Sequence, residues 1–150
     1  MKIAVLGSTK SQQKLLTSSI HSLPNEIELS FCNADTTTQA QLNTDEFQVL
    51  ITFDLAGFQL KTLTNNIWYN LLPCRQIHII TTCKNELMTY LNNPLSISMF
   101  FFCVTEEQKN TLSTGYENIP WLRVLNSWQE NPAKALSDVL TTVISECGLK

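Results

Sequence analysis

The sequence predicts one α/β domain, spanning residues 1–150, in which helices cover both faces of a mostly parallel sheet of five or six strands. Three observations favour this class. Short apolar runs of strand length alternate with segments of helical periodicity along the chain. The apolar runs are close to continuous, as in strands that are buried on both faces. The 150 residues are enough for a single core, and no linker, repeat or low-complexity tract divides them.

The predicted strands share runs of Val, Ile, Leu or Phe bounded by turn-forming residues. They cover residues 2–7, 26–32, 47–53, 76–81, 98–104 and, as a short sixth strand, 121–125. The predicted helices share apolar residues at helical spacing, and the first four cover residues 11–23, 36–42, 85–91 and 106–112. Strands and helices that alternate in this way are joined by right-handed crossovers. The expected architecture is a three-layer α/β/α sandwich, flavodoxin-like or Rossmann-like.

The last helix has the clearest signals. Asn131 is placed to cap it, and Pro132 suits its first position. Gly148 is placed to end it. Its apolar residues recur at the spacing of one buried stripe and are Leu136, Val139, Leu140, Val143 and Ile144.

Composition argues against several classes of partner. The ten Lys and Arg residues are scattered and the net charge is −3, so no basic stripe is available for nucleic acid or an anionic membrane surface. The longest apolar run, residues 97–104, is far shorter than the roughly 20 residues that cross a bilayer. Residues 1–7 are too short for a signal peptide and fit a first strand, so a cytoplasmic location is expected.

The five cysteines predict neither a disulfide framework nor a metal site. Their number is odd, and no two have the C-x-x-C spacing of zinc sites. Cys32 and Cys103 lie inside apolar strands and are expected to be small core residues. Cys74 and Cys83 flank one strand, where a structural role is the simplest expectation. We therefore predict no metal ligand.

Candidate ligand-binding residues follow from the fold. In open parallel sheets, ligands bind beyond the carboxyl ends of the strands, near the point where the strand order reverses. The first such loop, residues 7–11, offers hydroxyls and helix amides to an anion, although the same side chains could simply cap the helix. It matches neither the dinucleotide-binding fingerprint nor a Walker loop. The residues predicted to bind a ligand are Ser8, Thr9, Asp54, Gly57 and Thr81.

Asp54 is the strongest of these candidates because it directly follows the apolar strand 49–53. A carboxylate there could bind a metal, accept a phosphoryl group or hold a ribose hydroxyl; equally, it could form a cap or turn before Gly57. The position resembles that of the phosphoacceptor in response-regulator receiver domains, and Thr81 or Thr82 resembles the hydroxyl residue after their fourth strand. Receivers also carry an acidic pair after strand one and a lysine after strand five. This chain departs from both, so the resemblance implies at most a degenerate receiver without phosphoryl transfer.

Residues 49–127 also resemble the N-terminal half of some GT-B-type glycosyltransferases. The similarity rests on a small-residue turn at 54–58, a loop leading to the strand 76–80, and the phrase Tyr-Glu-Asn-Ile-Pro at 116–120. Such enzymes need a second Rossmann-like domain, which usually grips the nucleotide sugar, and no residues remain here to build it. The resemblance therefore implies a stand-alone half that binds a ligand or forms one subunit of a pair.

The polar and aromatic segment 62–72 leaves two interpretations open. Its amides and rings could line a sugar or nucleotide site; these side chains are Asn65, Asn66, Trp68, Tyr69 and Asn70. Alternatively, the segment packs on the sheet through Ile67, Trp68, Leu71 and Leu72. His21 is expected to be exposed and His78 to be a satisfied strand residue. No nucleophile–histidine arrangement is evident, so no catalytic residue is assigned and the cofactor stays unknown.

Two functions remain open from the sequence. The first is a small-ligand-binding α/β module for a phosphate- or sugar-bearing molecule, which requires an open pocket at the strand ends. The second is a receiver-like protein-interaction or scaffold domain, in which Asp54 and Ser8 are used in capping bonds and an apolar patch lies elsewhere. An enzyme is a third alternative. Apolar residues 99–102 and three tryptophans near element ends also suggest a homodimer or another protein partner.

Overall fold

The computed structural model describes residues 1–146, the last of them by its backbone only. Six parallel strands form one sheet, which confirms the predicted fold class. The strands are Lys2–Leu6 (β1), Glu28–Cys32 (β2), Val49–Phe53 (β3), Arg75–Ile80 (β4), Met99–Cys103 (β5) and Leu122–Val124 (β6). The α-helices are Lys10–Ile20 (α1), Thr36–Gln41 (α2), Asn85–Met88 (α3), Glu106–Gly115 (α4) and Pro132–Glu146 (α5). Short 3₁₀ helices cover Thr44–Glu46, Trp68–Leu71 and Thr89–Asn92.

The strand order is β2-β1-β3-β4-β5-β6, and every neighbouring pair is parallel. The chain passes from β1 to β2 on one side and then crosses back to β3 on the other side. The order therefore reverses between β1 and β3, where Val5 pairs with Ile51 and Leu6 with Thr52. The loops that follow β1 and β3 thus diverge at the sheet edge where ligands bind in folds of this type.

Two cores lie on opposite faces of the sheet. Because side chains alternate along a strand, Ile3 and Val5 face α1 and α5, whereas Ala4 and Leu6 face α3 and α4. α1 and α5 are tied together by hydroxyls as well as by packing, since Ser137 Oγ donates to Ser19 O at 2.7 Å. No helix in residues 1–146 combines the length and the apolar character needed to cross a bilayer.

Helix starts follow the sequence more closely than helix ends. Asn131 Oδ1 accepts from Lys134 N at 3.1 Å, which confirms the predicted cap of α5, and the predicted stop at Gly148 lies outside the described residues. α1 begins one residue earlier than predicted. It ends at Ile20 rather than at residue 23, where the Ser22 hydroxyl bonds the Ser19 carbonyl oxygen at 3.0 Å.

Candidate functional site

The turn after β3 has an unusual backbone for its sequence. Asp54 and Leu55 both have positive φ, 52° and 58°, and Ala56 N donates to Phe53 O at 3.1 Å. Two successive left-handed residues closed by such a bond form a type I′ turn, which usually carries Gly, Asn or Asp. Leucine rarely adopts this conformation. Here Leu55 is held in it by burial, since its side chain is only 1% exposed in the core.

This turn aims the Asp54 carboxylate across the edge of the sheet at the end of β4. Asp54 Oδ1 accepts from Thr81 N at 2.7 Å and from Thr82 N at 3.1 Å, and Oδ2 accepts from the Thr81 hydroxyl at 2.6 Å. Asp54 N in turn donates to Ile79 O at 2.7 Å. Both carboxylate oxygens are therefore used to join β3 to β4, in an arrangement that we call the Asp54 clamp.

The far side of the clamp continues into α4. Gln108 Nε2 donates to Thr81 O at 3.0 Å, and Gln108 Oε1 accepts from Val104 N at 2.9 Å. Thr105 Oγ1 caps the same helix by accepting from Gln108 N at 3.1 Å. The carboxyl ends of β3, β4 and β5 are thus linked into one hydrogen-bonded row.

Gly57 has a packing role in this structure. Its φ is 86°, and a Cβ built there would overlap Tyr69 Oη and lie 2.8 Å from Tyr69 Cζ. The Tyr69 hydroxyl donates to Ala56 O at 2.7 Å, and the ring is fully buried. Glycine is needed because the tyrosine approaches the turn so closely.

The loop after β1 closes against the same turn. Gly7 has a φ of 68° and donates its amide to Cys32 O at 2.9 Å. A Cβ on Gly7 would lie 2.7 Å from Ala56 Cβ and 3.0 Å from Ala34 Cβ. The turn residue Ala56 therefore fills the space beside Gly7 at the switch point between β1 and β3.

Ser8 and Thr9 differ in how their hydroxyls are used. Thr9 Oγ1 accepts from Gln12 N at 3.2 Å and Gln12 Oε1 accepts from Thr9 N at 2.9 Å, so the pair forms a capping box at the start of α1. Ser8 Oγ is buried, and among the described residues it has no hydrogen-bond partner. Buried side-chain hydroxyls are seldom left in this state.

A row of buried side-chain hydrogen bonds lies in the core beside this turn. Gln76 Nε2 donates to Tyr69 O at 2.7 Å, which leaves Gln76 Oε1 to accept from His78 Nε2 at 3.0 Å. His78 Nδ1 then accepts from the Thr52 hydroxyl at 2.6 Å. Complete burial lowers the pKa of His78 to about 3, so the ring is neutral near pH 7. The expectation that His78 is a satisfied strand residue is confirmed.

The cysteines near this edge are poor nucleophiles. Burial raises the pKa of Cys103 to about 11, and the neighbouring Cys83 and Glu106 add to the effect. Burial also raises the pKa of Cys83, to which the charge of Asp54 contributes. A thiol attacks as its thiolate, so these raised values favour the inert form. Within residues 1–146, no group of three His, Cys, Asp or Glu side chains is placed to hold a metal ion.

The segment 62–72 packs largely against the sheet. Trp68 and Leu72 are each only 7% exposed, and Ile67 is fully buried, as one of the two interpretations expects. Leu71 is the exception: it is 65% exposed, so its expected packing is wrong. Leu71 is the last residue of this short 3₁₀ helix, and the next residue, Leu72, packs against the core in its place. Asn70 is also occupied, donating to Pro94 O at 2.8 Å and accepting from Ser96 N at 2.8 Å.

The five predicted ligand-binding residues therefore fall on three neighbouring loops, which follow β1, β3 and β4. Asp54 and Thr81 bond each other directly, and Gly57 belongs to the turn that carries Asp54. Ser8 and Thr9 lie on the loop that this turn contacts through Gly7. Reasoning from sequence missed Gln108, and it gave Tyr69 a possible role in lining a sugar or nucleotide site rather than in packing against Ala56 and Gly57. Thr105 and Gln108 have the same spacing as Thr9 and Gln12. This spacing matches a capping-box signature, which could have identified Gln108.

No protein-family model matches this chain, and searches of curated proteins and of solved structures return no match either. Only the geometry of the chain itself therefore bears on its function.

Proposed function

We propose that this chain is a non-catalytic protein-interaction or scaffold domain, receiver-like in shape and without phosphoryl-transfer chemistry. The observation that carries this proposal is the Asp54 clamp. A phosphoacceptor or metal-binding carboxylate directs an oxygen toward its ligand, whereas both oxygens of Asp54 are directed at Thr81 and Thr82 and accept three hydrogen bonds there. The Asp54 carboxylate, which the sequence presents as the leading candidate for chemistry, instead connects the ends of β3 and β4.

Two further features support a structural use of this edge. The Gly7 and Gly57 positions, which could have opened space for a ligand, are closed by Ala56 and Tyr69. The Thr9 capping box takes two of the groups at the start of α1 that an anion would otherwise meet. The binding surface would then lie elsewhere on the exterior, where several large apolar side chains are exposed to solvent: Phe31, Leu63, Leu71 and Ile97. The partner in this proposal is a protein, either a second copy of the chain or another chain.

A second candidate function is supported by Ser8. Its buried hydroxyl without a partner lies beside the amino end of α1, where an incoming phosphate or sugar oxygen could complete its hydrogen bonding. This would make the chain a small-ligand-binding module for a phosphate- or sugar-bearing molecule. Ser8 and Thr9, together with the exposed Lys10, would contact that ligand.

A thermal-shift screen separates the two candidates. The panel contains nucleotides, nucleotide sugars, flavins, sugar phosphates, and Mg²⁺ with acetyl phosphate, tested on wild type, Ser8→Ala and Asp54→Asn. The interaction proposal predicts that no ligand changes the melting temperature of any of the three proteins. A ligand at about a hundred times its Kd stabilises by about 2.7 kcal/mol, which is easily seen. A shift that Ser8→Ala abolishes would replace the interaction proposal with the ligand-binding one.

A further inference from the structure

The outer edge of β2 is the feature that extends the proposed function furthest. In residues 1–146, β2 pairs only with β1, through bonds such as Glu28 N to Met1 O at 2.9 Å and Gly7 N to Cys32 O at 2.9 Å. Alternate residues of a parallel strand bond the same neighbour. The main-chain groups of Leu29 and Phe31 are therefore directed away from the sheet. Unpaired groups of this kind are a template for another strand.

A groove runs along this edge between β2 and α1. It has a volume of about 590 Å³ and is lined by Phe31 together with Lys10, Gln13, Lys14, Thr17 and Ser18. Phe31 is 38% exposed, so an apolar side chain remains open to a partner at the base of the groove. Its side chain lies on the same face of the sheet as α1, because Phe31 pairs with Val5, which faces that helix.

The charge of the groove indicates what it would accept. Lys10 and Lys14 are exposed, and their spacing places them one helical turn apart on one face of α1. Among the residues that the structure describes, no acidic side chain lines the groove, and the ion pair between Lys134 and Asp138 lies on α5. This local positive charge stands against a net charge of −3 for the chain. It is complementary to acidic groups and repels a second positive surface.

We propose that β2 accepts an extended, acidic segment of a partner protein as a seventh strand, a proposal that rests on the interaction function above. Side chains two residues apart on a strand share a face. An apolar residue of the segment would therefore contact Phe31, and acidic residues two positions before and after it would meet Lys10 and Lys14. The recognised pattern is acidic-x-apolar-x-acidic, with main-chain bonds supplying affinity and the groove supplying specificity.

A second copy of this chain fits the same edge poorly. Two β2 strands paired across a two-fold axis would place both α1 helices on one face of the joined sheet. Each copy would then bring its own Lys10 and Lys14 toward the shared edge, and the described lining residues include no acidic side chain to offset them. Like charges brought together in this way disfavour the pairing.

Selection from two nine-residue peptide libraries tests this proposal on the full chain. One library fixes the acidic-x-apolar-x-acidic pattern, and the other places lysine at both acidic positions. We expect the acidic library alone to yield binders. The affinity of the best peptide, measured by fluorescence polarisation, should fall roughly tenfold in Lys14→Glu. It should be unchanged in Lys84→Glu, a charge-matched control at the start of α3. Amide resonances that shift on binding should cluster in residues 10–18 and 28–32.

The proposal would be overturned by equal yield from both libraries, by equal affinity of wild type and Lys14→Glu, or by resonance shifts that avoid β2. A concentration-dependent dimer that Phe31→Ser abolishes would also overturn it, because the occupant would then be a second copy. Lys14→Glu keeps the test valid if Phe31→Ser does not fold. If neither library yields binders and no small ligand binds at residues 7–10 or 54–57, the acidic segment is rejected as the partner but the interaction function is not. If a small ligand binds at those residues, the interaction function itself is rejected.

Discussion

Replacing Asp54 tests the clamp through the stability of the fold. Asp54→Ala removes the acceptor of three hydrogen bonds and leaves the amides of Thr81 and Thr82 without their protein partner. Hydrogen bonds to a charged group contribute about 1.5–3 kcal/mol each when buried, but water reaches this partly exposed site and replaces much of that. We assign about 2 kcal/mol to the lost clamp. Alanine at a φ of 52° adds about 1 kcal/mol of backbone strain, so the total loss is about 3 kcal/mol.

Two matched variants divide this loss into its parts. Asp54→Gly loses the clamp but relieves the left-handed backbone, so its loss should be about 1 kcal/mol smaller than that of Asp54→Ala. Asp54→Asn tolerates the left-handed conformation and keeps an oxygen that faces both amides, so it should lose less than about 1 kcal/mol. Urea unfolding followed by tryptophan fluorescence measures all three. A free energy of unfolding for Asp54→Ala within about 0.5 kcal/mol of wild type would refute the clamp.

Three other predictions follow from the same region. Gly57→Ala should lose more than about 3 kcal/mol of stability, and less when combined with Tyr69→Phe, because removing the hydroxyl removes the closest overlap. The folded-state pKa of His78 is lowered from about 6.5 to about 3. The contribution of the neutral ring to the free energy of unfolding should therefore be fully present above pH 6.5 and be lost as the pH falls toward 3. The loss at pH 5 should be about 2 kcal/mol, read from urea titrations at each pH. Alkylation at pH 7.5, mapped by mass spectrometry, should modify Cys103 only after unfolding.

Each of these predictions has its own contradicting result. Equal losses for Gly57→Ala in the wild-type and Tyr69→Phe backgrounds would show that the tyrosine hydroxyl does not set the need for glycine. For His78, the control is His21→Gln, which removes an exposed histidine and should leave the pH profile unchanged. A wild-type stability that is flat between pH 7 and pH 5 would contradict the neutral, buried ring. Rapid labelling of Cys103 in the folded chain would contradict its raised pKa.

The fold was predictable because its signals are local and repeated. The continuous apolar strand 49–53 and the capped, striped helix α5 each specify their own conformation, and the alternation of such segments specifies a parallel sheet. Boundaries were less predictable where tertiary contacts intervene, as just after α1, where the Ser22 hydroxyl lies 2.9 Å from the Ser137 hydroxyl of α5. The exposure of Leu71 was missed because two consecutive leucines at the end of a short 3₁₀ helix give no pattern that shows which of the two packs against the core.

The candidate site was located by the sequence, but its internal bonding was not. The switch-point rule leads to Asp54 and Thr81 as residues of the sheet edge, and these two side chains do meet. The turn itself could not be read from the sequence, because leucine is atypical at a left-handed position and burial of Leu55 overrides its local preference. Gly57 was noticed, yet its requirement comes from Tyr69, which lies on a separate 3₁₀ helix.

We propose that the loops after β1 and β3 serve to connect the strands and that the function of the chain lies on its outer surface. Amide resonances of residues 7–10 and 54–57, recorded by heteronuclear NMR during titration with nucleotides, nucleotide sugars, sugar phosphates, and Mg²⁺ with acetyl phosphate, test it most directly. We predict that these resonances stay in place at millimolar ligand concentrations. Saturable shifts centred on Ser8 or Asp54 would contradict the account and identify the edge as a ligand site.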